Sequence, residues 1–169
     1  MRLACGGVTE IHDLTALQLA AAVRSRELSP VEIVDHYVAR IDRLDARVGA
    51  YATVTADLAR EQARRAEQAI TSGAAAGPSG ELPPLYGVPV PIKDLNLVKG
   101  VPTLFGSAVY EGFIAPLDDS VVERLRAAGT IMIGKTNAPE FGLPCYTETD
   151  VAPPARTPWD PSRSAGGSS

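Results

Sequence analysis

The sequence has few of the residues that several common kinds of protein need. Aromatic residues make up only 5% of its 169 positions, too few for the stacking platforms that bind single-stranded nucleic acids. The formal net charge of −4 leaves no basic excess for a nucleic-acid surface. Two cysteines, Cys5 and Cys145, provide neither a disulfide framework nor a CxxC metal site. We therefore expect no nucleic-acid partner and no metal held by cysteines.

Long apolar runs are also missing. No stretch approaches the ~20 apolar residues that a helix needs to span a membrane. The amino terminus carries acidic residues early and lacks the apolar segment of a secretory signal peptide. These absences predict a cytoplasmic protein without a membrane partner. Apolar residues nevertheless form 45% of the sequence against 21% charged residues, which suits one domain with a packed core.

The first 73 residues are predicted to be a mainly helical lead-in. Thr15 and Gln18 have the spacing of a capping box that opens a helix, and Ser29 with Glu32 repeats the device. The predicted elements are helices over residues 16–26, 30–44 and 56–72, with a short strand over residues 50–55 before the third helix.

Residues 85–169 are predicted to start an α/β core, after a Gly- and Pro-rich loop over residues 73–84. Pro89 and Pro91 predict that the strand over residues 86–93 is an edge strand or one that ends in irregular structure, because proline cannot donate to a ladder. The other predicted elements are a helix over residues 119–128, a buried strand over residues 130–134, and mostly loop over residues 143–169.

The stretch GTIMIGKT, residues 129–136, has the spacing of a phosphate-binding loop. Such a loop must lie between a strand and a helix, with free N–H groups around the phosphate. Here the predicted helix precedes the stretch, the interior of the stretch is itself a strand, and Pro139 follows too early for the required helix. The order of elements therefore argues against nucleotide binding.

Lys93 and the segment over residues 164–169 could each take part in catalysis, but each also has a plain structural explanation when it is considered alone. Lys93 ends an apolar strand, where burial would favour the neutral amine, a form that can act as a base. The plain alternative is that Lys93 reaches solvent or pairs with a neighbour such as Asp94. The segment SAGGSS, residues 164–169, offers adjacent hydroxyls and permissive glycines, but its plain alternative is a flexible end.

Four sequence motifs that follow one another in a fixed order are more informative than Lys93 or the segment SAGGSS alone. They are GVPVPIKD, GVPTLFGS, DDSVVERLRAAGTIMIGKTNAPEFG and RTPWDPSRSAGGSS. In this order they resemble the amidase-signature family over nearly the whole chain. The resemblance implies a three-layer α/β/α fold around a mixed central sheet, of which this chain would form the N-terminal part. It also implies an amide hydrolase that uses neither a metal nor an organic cofactor.

The resemblance implies site residues by motif match. Lys93 matches the base of a serine–serine–lysine triad, and Ser168 matches the bridging serine, which follows a cis peptide bond. Ser169 would support the same hydrogen-bond network, and Gly142 would lie on the substrate side. In the implied mechanism, neutral Lys93 takes the proton of Ser168 while Ser168 takes that of the nucleophilic serine.

The sequence departs from the family pattern in three places. The family motif continues as GGSSGG, whereas the 169 residues end at GGSS, before the later Gly-Gly-Ser motif that supplies the nucleophile. We therefore expect an N-terminal fragment that is inactive alone. Ala165 stands where many members have proline. Cys145 falls near the expected acyl pocket, where a buried spectator thiol is expected.

Three functions are open at this stage. The main one is an amidase that hydrolyses a small-molecule amide in the full-length enzyme, for which a homodimer is left open. The alternative within the family is the amidotransferase component that acts on aminoacyl-tRNA, although the loop PEFGLPCYTETD favours the hydrolases. The third is a non-catalytic truncated binding module, which the unpaired edge and uncovered apolar face of a divided sheet disfavour.

Overall fold

The computed structural model describes residues 10–75, 77 and 80–168 of the chain. In chain order the helices and strands are α1 (Ala16–Ser25), α2 (Pro30–Val48), β1 (Tyr51–Val54), α3 (Ala56–Ser72), β2 (Pro89–Lys93), α4 (Ser120–Ala127), β3 (Ile131–Thr136), β4 (Arg156–Thr157) and β5 (Asp160–Ser164). Short 3-10 turns lie at Ile11–Asp13, Ala108–Tyr110 and Glu140–Gly142. Mixed helices and strands confirm the predicted α/β class. In the part of the chain with described coordinates, no helix combines the length and apolar character needed to cross a membrane.

The capping residues predicted at α1 act as expected. Gln18 N donates to Thr15 Oγ1 at 3.3 Å, and Thr15 N donates to Gln18 Oε1 at 2.8 Å. Each side chain thus satisfies a backbone N–H that the first turn of the helix leaves without a partner.

The capping box predicted at the start of α2 forms only in part. Ser29 caps the helix, but Glu32 does not complete the box. Ser29 Oγ accepts a hydrogen bond from Val31 N at 3.0 Å, and the Ser29 hydroxyl donates to Glu67 of α3 rather than engaging Glu32. The serine therefore caps α2 and also ties its start to α3. The helix runs four residues past the predicted end, until Gly49 stops it in the left-handed conformation with φ of 58°.

The sheet that positions the site has the strand order β1-β3-β2. β2 is parallel to β3, with Lys93 opposite Thr136, and β1 is antiparallel to β3, with Val54 opposite Gly134. Within the described residues β2 pairs with β3 alone, so it occupies the edge position that its prolines predicted. β3 is buried along its first five residues and extends beyond the predicted end to Lys135 and Thr136.

Alternate residues of β3 enter two different parts of the core, because successive side chains of a strand point to opposite faces. Ile131 and Ile133 pack with residues of α2 and α3. Met132 packs on the other face with Val122 of α4 and Ile92 of β2. The sheet is therefore covered by α2 and α3 on one side and by α4 on the other, which makes three layers.

Residues 143–168 are mostly loop, as predicted, but the prediction missed two short strands in this stretch. β4 and β5 form an antiparallel hairpin there, with Arg156 opposite Ser164. The hairpin is polar along its length and carries no alternation of apolar residues that would have indicated strands. The start of β5 is stabilised locally, because Asp160 Oδ1 accepts a hydrogen bond from Ser162 N at 3.1 Å.

Candidate active site

The carboxyl ends of β2 and β3 lie side by side, and Lys93 lies at this edge of the sheet. Parallel strands end at the same edge, so Lys93 lies opposite Thr136. The chain leaving β3 is fixed at once by Asn137, whose N–H donates to Ala50 O at 2.8 Å. The Asn137 side-chain amide donates to Gly49 O at 3.1 Å and to Pro153 O at 2.7 Å. The loop after β3 therefore starts from a rigid base.

Lys93 is the last residue of β2, and its side chain is half-buried. Its neighbour Asp94 is not its partner, because Asp94 Oδ1 lies 2.7 Å from Nζ of Lys135. Across residues 10–75, 77 and 80–168, no oxygen accepts a hydrogen bond from the Lys93 amine and no carboxylate forms an ion pair with it. The amine is therefore available to another group at this edge.

Ser168 comes from the far end of the described residues and lies near Gly142. The Gly167–Ser168 peptide bond has the cis geometry that the family resemblance implies, and Ser168 is half-buried. A methyl group built on Gly142 would lie 3.8 Å from Ser168 Oγ and 2.9 Å from Leu95 Cδ1. Gly142 therefore sits between Ser168 and the segment that follows Lys93. Ser169 lies outside the described residues.

Thr147 holds the segment that leads to Ser168, so residues 164–168 are not a flexible end. Thr147 Oγ1 donates to Gly166 O at 2.8 Å, and the Thr147 residue is 5% exposed. Ala165 N donates to Ala155 O, and Ala155 N donates to Thr147 O, each at 2.8 Å. Sequence reasoning missed Thr147, since nothing local distinguishes it from the other threonines of a loop.

Cys145 does not take the buried position expected of it. The thiol is exposed, as are its neighbours Leu143 and Tyr146, with 82% and 51% of their surface accessible. These residues follow the turn Glu140–Gly142 and belong to no helix or strand, so no element covers them. The expectation of a buried thiol is therefore wrong.

A second lysine, which sequence reasoning did not single out, lies at the centre of a buried polar network. Lys135 Nζ donates to Asp94 Oδ1 at 2.7 Å and to Thr103 Oγ1 at 3.0 Å. Leu104 N donates to the other carboxylate oxygen, Asp94 Oδ2, at 3.0 Å. Lys135, Asp94 and Thr103 are at most 1% exposed. The network thus fastens the loop after residue 101 to the ends of both strands.

Burial lowers the pKa of Lys135, and the hydrogen bond and negative charge of Asp94 oppose that change. The same burial removes Lys135 from any role as a phosphate ligand, which agrees with the argument against a phosphate-binding loop. A signal for the network was present in the sequence. Lys135 directly follows a strand predicted to be buried, and lysine is almost never fully buried unless it is paired.

The backbone of Gly106 packs directly on the loop after β3. Its φ is 68°, and an added Cβ would lie 2.6 Å from Ala138 O and 2.9 Å from Glu140 N. We predict that Gly106→Ala lowers the free energy of unfolding by more than the ~1–3 kcal/mol of a strained φ alone, since two backbones must separate. Urea unfolding measures this.

Gly100→Ala is the matched control for that substitution. Gly100 has a similar φ of 79°, but an added Cβ would meet nothing within 4 Å. The Gly100 variant should therefore report the cost of the backbone conformation alone. Equal destabilisation by the two substitutions would show that the close packing of Gly106 contributes nothing.

The chain is similar to known proteins in sequence and in fold. Residues 32–169 match the sequence profile of the family described as Amidase. A glutamyl-tRNA(Gln) amidotransferase subunit from Thermobifida fusca (strain YX) is 44% identical over 162 residues, covering 96% of this chain and 31% of that protein.

Two solved structures are similar in fold and in sequence. The 6-aminohexanoate cyclic dimer hydrolase complexed with substrate aligns with a TM-score of 0.77 and 30% identity, covering 92% of this chain and 30% of that one. A bacterial aryl acylamidase of the amidase-signature family aligns with a TM-score of 0.79 and 25% identity, covering 91% and 31%. The chain thus spans about a third of the length of these proteins. The chain belongs to the Amidase (amidase-signature) family.

Proposed function

We propose that the enzyme containing these residues cleaves a carboxylic amide by acyl transfer to a serine, with Lys93 and Ser168 as its proton relay. One observation carries the proposal. The Lys93 amine at the end of β2 pairs with no carboxylate of the described residues, and Gly142 packs between the Ser168 hydroxyl and Leu95, two residues after Lys93. An amine and a hydroxyl are the groups needed to move a proton to and from a nucleophile.

In the proposed steps, each proton that one group releases is taken up by another named group. Neutral Lys93 Nζ accepts the proton of Ser168 Oγ as Ser168 accepts the proton of the attacking serine, whose oxygen bonds to the amide carbonyl carbon. The C–N bond then breaks, and the relay returns the proton to the leaving amine. Water hydrolyses the acyl ester through the same relay. The family resemblance assigns the attacking serine to a later motif, which the 169 residues do not include.

For the substrate, we propose the amide donor of an aminoacyl-tRNA amidotransferase. Support comes from the 44% identity with the Thermobifida fusca glutamyl-tRNA(Gln) amidotransferase, which exceeds the 30% and 25% shared with the two hydrolases. The acceptor would be glutamyl-tRNA(Gln), the molecule that the name of that relative specifies. Because this part of the protein has a net charge of −4, we expect the tRNA to be held elsewhere in the assembly.

The second candidate function is that of a free-standing amidase. The solved structure of 6-aminohexanoate cyclic dimer hydrolase, at 30% identity, favours it, as does the loop over residues 139–150. Such an enzyme would hydrolyse a small or aryl amide without partner proteins.

Amide turnover by the full-length enzyme distinguishes these functions. Ammonia release from glutamine and asparagine is measured with and without the other amidotransferase components, glutamyl-tRNA(Gln) and ATP, which is needed to activate the glutamyl carboxylate, beside hydrolysis of an aryl amide. An amidotransferase should release ammonia and form glutaminyl-tRNA only in the complete assembly. Hydrolysis of the aryl amide by the enzyme alone would instead support the amidase. The absence of turnover in every assay would overturn the proposed chemistry.

A further inference from the structure

The sequence has two histidines, His12 and His36, and they lie together although 24 residues separate them. His12 Nδ1 and His36 Nε2 are 3.0 Å apart, and the planes of the two rings differ by 16°. Glu10 joins them, so that one possible ligand atom from each of the three residues lies within 4.8 Å of the other two. The cluster connects the turn Ile11–Asp13 to α2 and shares no residue with the amide-cleaving site.

We propose that Glu10, His12 and His36 form a binding site for one Zn²⁺ ion. Two imidazoles and a carboxylate are donors that zinc accepts in tetrahedral geometry, with water as the fourth ligand. Two nitrogens bound to one tetrahedral zinc at about 2.0–2.1 Å lie about 3.3 Å apart. The observed separation of 3.0 Å is close to that value, and the rings would turn so that both nitrogens face the ion, whereas Mg²⁺ and Ca²⁺ prefer sites made of oxygen atoms.

The surroundings of the cluster suit neutral imidazole ligands. His12 Nε2 lies 4.0 Å from Asp13 Oδ1, where a carboxylate can orient the ring once Nδ1 binds the metal. Burial, assisted by the nearby His12, lowers the pKa of His36, and the neutral ring is the form that binds metal.

The charges around the cluster nearly cancel. Arg40 and Arg43 lie close enough to influence His36 electrostatically, and they would oppose a bound cation. The carboxylates of Glu10 and Asp13 offset them. The carboxylate of Glu10 also distinguishes this cluster from a simple hydrogen-bonded histidine pair, which needs no third group.

A bound ion would clamp the turn Ile11–Asp13 to α2. The turn is short and buries none of its residues fully; Ile11 packs against the cluster that includes Ile33 of α2, and the histidine contact is a second tie to that helix. Since a ligand that binds only the folded state stabilises it, the thermal midpoint of unfolding should rise with zinc concentration.

Zinc titration of the protein tests the proposal, in a Cys5→Ser/Cys145→Ser background that removes the thiols. Affinity is measured by competition with a chromophoric chelator, and the imidazole Cε1–H signals of His12 and His36 are followed by proton NMR. We expect one equivalent of zinc and a shift of both signals. His12→Gln and His36→Gln should each weaken binding by more than the ~10–100-fold typical of losing an outer-shell partner.

The controls separate this site from adventitious zinc binding. Glu10→Gln should weaken binding, whereas Glu27→Gln, at another exposed glutamate, should leave the affinity unchanged. Mg²⁺ should shift neither imidazole signal. Unchanged imidazole signals at saturating zinc would overturn the proposal even if a histidine variant failed to fold. Unchanged affinity in both histidine variants would do the same.

Discussion

Replacing Lys93 with alanine should abolish amide cleavage by the full-length enzyme while leaving its fold intact. We expect kcat/KM to fall on the order of 10⁴-fold, as when a member of a serine triad is lost. The proposed relay has no other base, because Lys135 is buried in its pair with Asp94. The fold should survive, since no described residue hydrogen-bonds or ion-pairs with the Lys93 amine. Ammonia release and circular dichroism measure the two effects.

Lys99→Ala is the matched control, and the sequence has only these three lysines, Lys93, Lys99 and Lys135. Lys99 is exposed, six residues further along the chain, and its backbone N–H rather than its side chain bonds to Asp118. Its variant should retain normal turnover. Near-normal turnover in Lys93→Ala would remove Lys93 from the mechanism, and an equal loss in both variants would point to a general effect of charge.

Features that depend on neighbouring residues could be predicted from the sequence. Thr15 and Gln18 start α1, and Gly73 ends α3 with φ of 76°, because caps act over a few residues. The prolines of β2 predicted an edge position, because proline lacks a backbone N–H wherever it occurs. The order of helix and strand was enough to argue against a phosphate-binding loop.

Features that depend on distant partners could not be predicted in the same way. Asp94 follows Lys93 directly, but consecutive residues of an extended chain point to opposite sides, so Asp94 enters the core and meets Lys135, 41 residues away. The β4–β5 hairpin has no apolar alternation, and Thr147 acquires its role only when residues 165–167 pack against it. His12 and His36 likewise meet only after the turn Ile11–Asp13 packs on α2.

The candidate site came from the order of motifs rather than from any single residue. A lysine at a strand end and a Gly/Ser segment each had a plainer interpretation. The structure excludes the pairing of Lys93 with Asp94, because Asp94 pairs with Lys135, and it argues against a flexible end by fixing Gly166 to Thr147. The catalytic roles of Lys93 and Ser168 remain predictions that the Lys93 variant tests directly.

Replacing Lys135 with methionine should destabilise the fold by about 3–5 kcal/mol, because it leaves the carboxylate of Asp94 buried without its cation. Asp94 is 1% exposed, so water cannot take the place of the ammonium group. The Thr103 hydroxyl would lose its donor as well. Equilibrium unfolding in urea gives the difference in free energy between the variant and the native chain.

The double variant Lys135→Met/Asp94→Asn shows whether charge is the cause. Asparagine keeps an oxygen for Leu104 N, which donates to Asp94 Oδ2 at 3.0 Å, but it removes the unpaired charge. If the cost comes from burying that charge, the double variant should recover much of the lost stability, since buried ion pairs can be replaced by neutral groups at little cost. If both variants were equally unstable, the packing of the Lys135 side chain, and not its pairing with Asp94, would be what holds the two strand ends together.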